Sequence, residues 1–267
     1  MYKAIFIDID GTLRDDNKII SERTKNVIKK ATENGVLIVL CSGRPQKYTE
    51  NISRECGASR YIITASGGNI YDYEDEKTIY INKMNKKACV ELYKIAEKAG
   101  VRFGMYVGDR IVTNKIKYEN GLEIKLDEPI KSFMEMNDVF QCNIADKDYN
   151  KMKDIVPYIE KVENCEIKNR HKSLNDINEP KIGDIYLDVA DASSCKGDAV
   201  RRFCEILNID LKDTIAIGDD YNDLSMFKVV GHSVAMGNAN DMIKNAADEV
   251  TNSNNENGVA VFLEKII

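Results

Sequence analysis

The sequence predicts an α/β protein: a doubly wound, parallel-sheet, Rossmann-like core interrupted by an inserted α+β domain. Three observations predict it. Between Tyr2 and Thr64, short aliphatic runs alternate with segments of helical period, as right-handed βαβ units do. Between Lys83 and Val189 the strand-like runs instead alternate polar with apolar residues, the pattern of a sheet with one wet face. From Ala190 to Ile267 the first texture returns.

Taken in order, Tyr2 to Ile9 reads as a short buried strand. Ser21 is the N-cap of a helix whose Val27, Ile28 and Ala31 fall at helical spacing before Gly35. Val36 to Cys41 is a continuous β-branched and aliphatic run, typical of a parallel strand covered on both faces. Pro45 opens the next helix, which stops near Gly57, and Tyr61 to Thr64 supplies a third strand. After the Ser66-Gly67-Gly68 turn, Tyr71, Tyr73, Ile79 and Ile81 predict a hairpin, followed by a helix with Ala88, Leu92, Ile95, Ala96 and Ala99 on one face. Strands are expected at Val101 to Val107, Val139 to Ala145 and Asp184 to Val189, with a helix near Tyr149 to Lys161. A helix from Lys196 to Leu207, a strand at Thr214 to Ile217 and further alternation complete the chain. The expected division is residues 1–82 with 190–267 as the core and 83–189 as the insertion.

Composition narrows the functional classes. Acidic residues outnumber basic ones 44 to 38, a net charge of -6, the wrong sign for a protein that binds by neutralising nucleic-acid phosphates. No nucleic-acid partner is expected. The 7 cysteines are scattered singly without a C-x-x-C pair, so neither a disulfide framework nor a thiolate zinc site is predicted. Val36 to Cys41, the longest apolar run of the first half, is far short of the roughly 20 residues of a membrane span. Asp8 and Asp10 interrupt what would have to be a signal-peptide apolar region. Together these features predict a cytoplasmic protein with no membrane association.

The chemistry-bearing residues cluster where predicted strands end. Phe6-Ile7-Asp8-Ile9-Asp10-Gly11-Thr12-Leu13 places two carboxylates two residues apart at the carboxyl end of the first strand, where open α/β sheets bind ligands. Alternation would put both on one face, and close carboxylates repel unless a cation joins them. A strand stopping in a polar turn is the plainer reading of a lone D-x-D. Gly218-Asp219-Asp220-Tyr221-Asn222-Asp223 ends the Thr214 to Ile217 strand and offers hard oxygen ligands suited to Mg²⁺. Leu40-Cys41-Ser42-Gly43-Arg44 puts a hydroxyl and an unencumbered N–H before a helix start, a geometry suited to phosphate oxygens. Lys196, in Ser194-Cys195-Lys196-Gly197, stands at a helix start, where the macrodipole disfavours a cation.

In these four motifs the chain resembles the haloacid dehalogenase superfamily, in particular its Cof-type phosphatases with a large (C2B-type) cap inserted after the third core strand. Val234-Ala235-Met236-Gly237-Asn238-Ala239, Ala246-Ala247-Asp248 and Gly258-Val259-Ala260 are similar to the family's ending. The resemblance implies Asp8 as nucleophile and Asp10 as general acid and base. It implies that Ser42, Gly43, Lys196 and Asn222 bind the substrate phosphate. Asp8, the Asp10 carbonyl and Asp219 would hold Mg²⁺, and Asp223 would orient its neighbours. Arg44 is a surface residue or a substrate contact. Two positions depart from the family pattern, Ser42 where Thr is common and Ser66 where Asn is common. The second removes an amide near the rim of the site.

The implied function is Mg²⁺-dependent hydrolysis of a small phosphorylated metabolite, with sugar phosphates favoured, through an aspartyl-phosphate. A phosphosugar mutase would use the same first step. A phospho-receiver or binding module shares the aspartates and the lysine, but lacks an acid at Asp10 and a cap, and is usually near half this length.

Overall fold

The computed structural model describes residues 2–115, 123–125, 138–174 and 183–267. The first stretch of core holds β1 (Ala4–Ile7), α1 (Glu22–Glu33), β2 (Leu37–Cys41), α2 (Gln46–Cys56), β3 (Tyr61–Thr64), β4 (Asn69–Asp72) and β5 (Lys77–Ile81). Then come α3 (Lys86–Ala99), β6 (Arg102–Val107), β7 (Arg110–Thr113), β8 (Glu123–Lys125), β9 (Val139–Asp146), α4 (Tyr149–Ile159), β10 (Cys165–Arg170) and β11 (Ile185–Asp191). The chain returns through α5 (Lys196–Ile206), β12 (Thr214–Gly218), α6 (Leu224–Phe227), β13 (His232–Ala235), α7 (Asp241–Ala246), β14 (Glu249–Val250) and α8 (Gly258–Ile266). Two compact units result, Met1–Tyr80 with Cys195–Ile267, and Ile81–Ser194.

In the first unit the strand order among the described residues is β14-β13-β12-β1-β2-β3-β4-β5. From β14 to β3 every pairing is parallel, and β4 runs antiparallel to β3. Every residue of β1 is buried, and its side chains serve two cores by simple alternation. Ile5 and Ile7 pack with Ile28, Ile38, Leu40 and Phe262, while Ala4 and Phe6 pack with Val39, Phe203 and Ala216 on the other face. Helices thus cover both faces, which is why these strands are aliphatic throughout. After β1 the chain steps to β2 and β3 on one side, whereas β12 and β13 lie on the other. That reversal opens a crevice at the carboxyl ends of β1 and β12, the place where doubly wound sheets bind ligands.

The second unit is a sheet of order β10-β11-β9-β6-β7-β8 among the described residues, antiparallel except for the β7–β8 pair. Leu92 and Ala96 of α3 and Met152 and Ile155 of α4 share a core with Phe103, Met105, Ile144, Leu187 and Val189. Its sequence-predicted boundaries shift by a few residues. The strand expected to stop at Val189 continues to Asp191, because Ala190 and Asp191 still pair with Glu166 and Cys165 of β10. The helix expected to reach Lys161 ends at Ile159, soon after Pro157, whose ring removes a donor from the last turn. Tyr73, expected in the hairpin, lies beyond β4, its hydroxyl donating to the Ser59 carbonyl at 2.9 Å. Residues 116–122, 126–137 and 175–182 of the predicted insertion lie outside the described residues.

Candidate active site

Asp8 is the first residue past β1, its N–H donating to the carbonyl of Ile217 on neighbouring β12 at 3.0 Å. Asp219 follows β12 directly, so adjacency of the two strands brings the two aspartates together. Asp223 closes a short 3₁₀ turn, Tyr221–Asp223, and its Oδ2 accepts the N–H groups of Asp219 and Asp220 at 3.0 and 3.1 Å. Lys196, at the start of α5, is 1% exposed and Asp223 is 0% exposed. The lysine Nζ donates to Asp8 Oδ1 at 2.5 Å and to Asp223 Oδ1 at 2.6 Å. A cation disfavoured by its own helix is therefore held by two buried carboxylates.

Burial pushes the Asp8 carboxyl well above the usual carboxylate range, with Lys196 acting in the opposite direction. For Lys196 burial favours the neutral amine, but Asp223 and Asp8 win and hold it charged, well above the ordinary lysine value. Asp219 is pushed up to about 7 by burial and by Asp223, although its Oδ1 accepts a 2.7 Å hydrogen bond from Thr12 Oγ1. Carboxylate oxygens of Asp8, Asp219 and Asp223 lie within 4.8 Å of one another. Three clustered carboxylates against one lysine leave negative charge unbalanced, and an all-oxygen donor set of this kind fits a hard divalent cation. Both oxygens of Asp223 already have partners, so Asp8 and Asp219 are the side chains better placed to reach it.

Asp10 diverges from Asp8, against the expectation from strand alternation. The strand ends at Ile7, and the chain turns before Asp10, so the two-residue period does not apply. Its half-exposed carboxylate accepts from Arg44 Nε at 2.8 Å and from Lys18 Nζ at 3.3 Å. Burial works to raise this carboxyl, but Arg44 and then Lys18 hold it below the usual range. Arg44 also lies over the Tyr48 ring, 5.1 Å from its centroid.

Ser42, buried just past β2, donates its N–H to the Ile63 carbonyl at 2.9 Å, and its hydroxyl accepts the Arg44 N–H at 3.2 Å. Gly43 is half-buried between them. Asn222 is half-buried on the 3₁₀ turn, and its carbonyl accepts from Ser225 Oγ, which in turn accepts the Gly197 N–H. That relay ties the turn after β12 to the start of α5. Thr12 and Lys18 touch the acidic residues and escaped the sequence reading. Thr12 carried a usable signal, a hydroxyl two residues past Asp10 in the same strand-end loop.

Of the remaining candidates, His171 bonds Ser173, and His232 lies against Glu249 and stacks on Phe262. Burial pushes the Cys41 thiol well up, away from the reactive thiolate form. Cys195 Sγ caps α5 by accepting the Asp198 N–H.

A doubly wound core whose strand ends gather aspartates around a buried lysine suits phosphoryl chemistry, in which positioning and charge neutralisation do most of the work. The chain belongs to the haloacid dehalogenase-like hydrolase family, which it matches over residues 5–263. It is 30% identical to the 5-amino-6-(5-phospho-D-ribitylamino)uracil phosphatase YwtE of Bacillus subtilis, over 99% of this chain and 98% of that protein. Its fold is similar to that of a haloacid dehalogenase-like hydrolase from Bacteroides thetaiotaomicron, with a TM-score of 0.84 and 28% identity, each chain covered in full. The sugar phosphatase BT4131, of subclass IIB, shares the fold at a TM-score of 0.77 and 23% identity, over 99% of this chain and 98% of that one.

Proposed function

We propose that this protein is a cytoplasmic, Mg²⁺-dependent phosphatase that hydrolyses a small phosphorylated metabolite, sugar phosphates above all, through an aspartyl-phosphate on Asp8. The observation that carries the reading is Lys196, buried and charged between Asp8 and Asp223, with Asp219 across the crevice.

Asp8, Asp219 and the Asp10 carbonyl would hold the ion, which when bound neutralises phosphoryl oxygens and orients the ester. Ser42, the Gly43 N–H, Asn222 and Lys196 bind the remaining phosphoryl oxygens. An Asp8 carboxylate oxygen attacks phosphorus, the ester P–O bond breaks, and Asp10 gives its proton to the departing alkoxide. Asp10, now a carboxylate, takes a proton from the water that attacks the phosphoryl group, and the P–O bond to Asp8 breaks. Phosphate leaves, and both aspartates are restored. Asp223 keeps Lys196 aimed at Asp8, so the charge is in position before the ester arrives. The ion pair with Arg44 favours the carboxylate form of Asp10 that the second step needs. The acid form needed first requires both Arg44 and Lys18 to leave the carboxylate, and Arg44 turning to the substrate gives this exposed side chain a role as a substrate contact.

A phosphorylated polyol chain in the name of the relative YwtE supports the sugar-phosphate class, and selection among such esters is assigned to residues 83–189. The test is phosphate release by purified protein from a panel of sugar, polyol and nucleoside monophosphates. Activity should vanish with chelator and return with Mg²⁺. Full activity in excess chelator, or transfer of the phosphoryl group to a second sugar hydroxyl in place of release, would overturn the reading.

A further inference from the structure

Past β3 the chain makes an uncommon turn. Ala65, Ser66 and Gly67 have φ of 52°, 55° and 95°, three successive residues in the left-handed region. Glycine adopts that region freely, but each residue with a Cβ is strained there. The turn is tied to the phosphate-side loop at two points, by the Ser66 N–H to the Ser42 carbonyl and by the Ala65 N–H to the Arg44 carbonyl, both at 3.2 Å. It also abuts the start of α5. A Cβ on Gly67 would stand 2.2 Å from the Cys195 carbonyl oxygen and 3.0 Å from the Lys196 nitrogen. Ser66 therefore sits on a strained link between the loop carrying Ser42 and the helix start carrying Lys196.

Its side chain is anomalous as well. Ser66 is 2% exposed, as enclosed as Ser42 at 3% and Lys196 at 1%, yet its hydroxyl finds no hydrogen-bond partner among the described residues. A buried hydroxyl left unbonded loses its hydration and gains nothing in return. Glycine here would remove both the strain and the orphaned hydroxyl, so neither feature serves the fold. Strain and unsatisfied polar groups that coincide beside a catalytic crevice point to a ligand.

We propose that Ser66 is a substrate-ordering residue whose hydroxyl donates to an oxygen of the bound phosphomonoester, beside Ser42. This rests on the phosphatase reading. Ser66→Ala deletes the hydroxyl and keeps a residue that Ala65 shows can occupy this region, whereas Ser66→Gly also relieves the strain. The readouts are thermal midpoint, the separate kcat and KM for the best ester of the panel, and the dissociation constant of inorganic phosphate with Mg²⁺, measured by calorimetry. Both variants should keep or raise the midpoint, bind phosphate about 10- to 100-fold more weakly, the range of one hydrogen bond to a charged group, and lose kcat/KM by a similar factor. Wild-type phosphate affinity and kcat/KM in either variant would overturn the proposal, whichever way the midpoint moves. A wild-type protein that hydrolyses no ester would instead count against the phosphatase reading, and the phosphate affinities would still decide the role of Ser66.

Discussion

Lys196 and Asp223 form an ion pair of 2.6 Å with neither side chain more than 1% exposed, and the same ammonium reaches Asp8 at 2.5 Å. Removing one partner of such a group leaves charge uncompensated in the interior, at a cost of about 3–5 kcal/mol. Lys196→Met should lose that much stability near neutral pH in urea unfolding, together with all turnover. Adding Asp223→Asn should recover part of the stability and none of the activity. Strict additivity of the two substitutions would show that the pair is not coupled.

Asp8→Asn should abolish turnover while the fold persists, since an amide cannot attack phosphorus and one carboxylate leaves the acidic cluster. Circular dichroism should be unchanged, and no added phosphoryl mass should appear on the Asp8 peptide after incubation with substrate. More than a trace of activity in verified pure mutant would remove Asp8 as the nucleophile.

Gly11 has φ of 89°, and a Cβ there would come within 2.3 Å of Asp219 Oδ2. Gly11→Ala must therefore strain the backbone by roughly 1–2 kcal/mol and displace the Asp219 carboxylate, a proposed metal ligand. The expected result is weaker Mg²⁺ binding by calorimetry, with kcat falling at saturating substrate. Unaltered metal affinity would mean that Asp219 has room to move without consequence.

Asp72 offers a test of stability away from the chemistry. Burial works to raise its carboxyl, but the Arg60 guanidinium at 2.7 Å and the N–H groups of Asp75 and Glu74 outweigh it and hold it below the usual range. A depressed carboxylate contributes stability that is complete above the unfolded value of roughly 3.9 and disappears as pH falls through the folded value. Asp72→Asn should therefore cost about 1–3 kcal/mol at pH 7, and the gap to wild type should close below about pH 4. A gap that stays constant down to pH 2 would assign the loss to packing.

The alternation of aliphatic strands with amphipathic helices was legible because burial on both faces leaves a continuous signal along the chain. Lys196 was legible for the opposite reason, as a cation at a helix start that disfavours it, and Asp8 and Asp219 through their place at the carboxyl ends of two strands in the same sequence as that lysine. The pairing of Asp10 with Arg44, the Thr12 hydroxyl on Asp219 and the left-handed run at Ala65–Gly67 were not. Asp10 and Arg44 are joined only when β1 and β2 lie side by side, Thr12 meets a partner 207 residues away, and a positive φ at alanine or serine leaves no compositional trace. The insertion's edges slipped because strand pairing, as at Asp191 with Cys165, extends past the last apolar residue.

The proposed acid and base role of Asp10 would separate a hydrolase from a slow phospho-switch, and the geometry of Asp10 allows a decisive test. Its carboxylate faces Arg44 and Lys18 rather than the cluster of Asp8, Asp219 and Asp223, so Asp10→Asn should spare the nucleophile and the buried lysine. Both proton transfers would be lost, and general acid–base assistance is typically worth roughly 100- to 10,000-fold. An aryl phosphate has a leaving group that departs without a proton, so the mutant should still be phosphorylated on Asp8 by that substrate. Hydrolysis of the phospho-enzyme needs the base and should lag. Mass spectrometry should then find added phosphoryl mass on the Asp8 peptide with the aryl ester, and almost no reaction with an alkyl sugar phosphate. Equal slowing of both esters, with no trapped intermediate, would mean that Asp10 serves to anchor Arg44 and Lys18, and that the proton comes from another group.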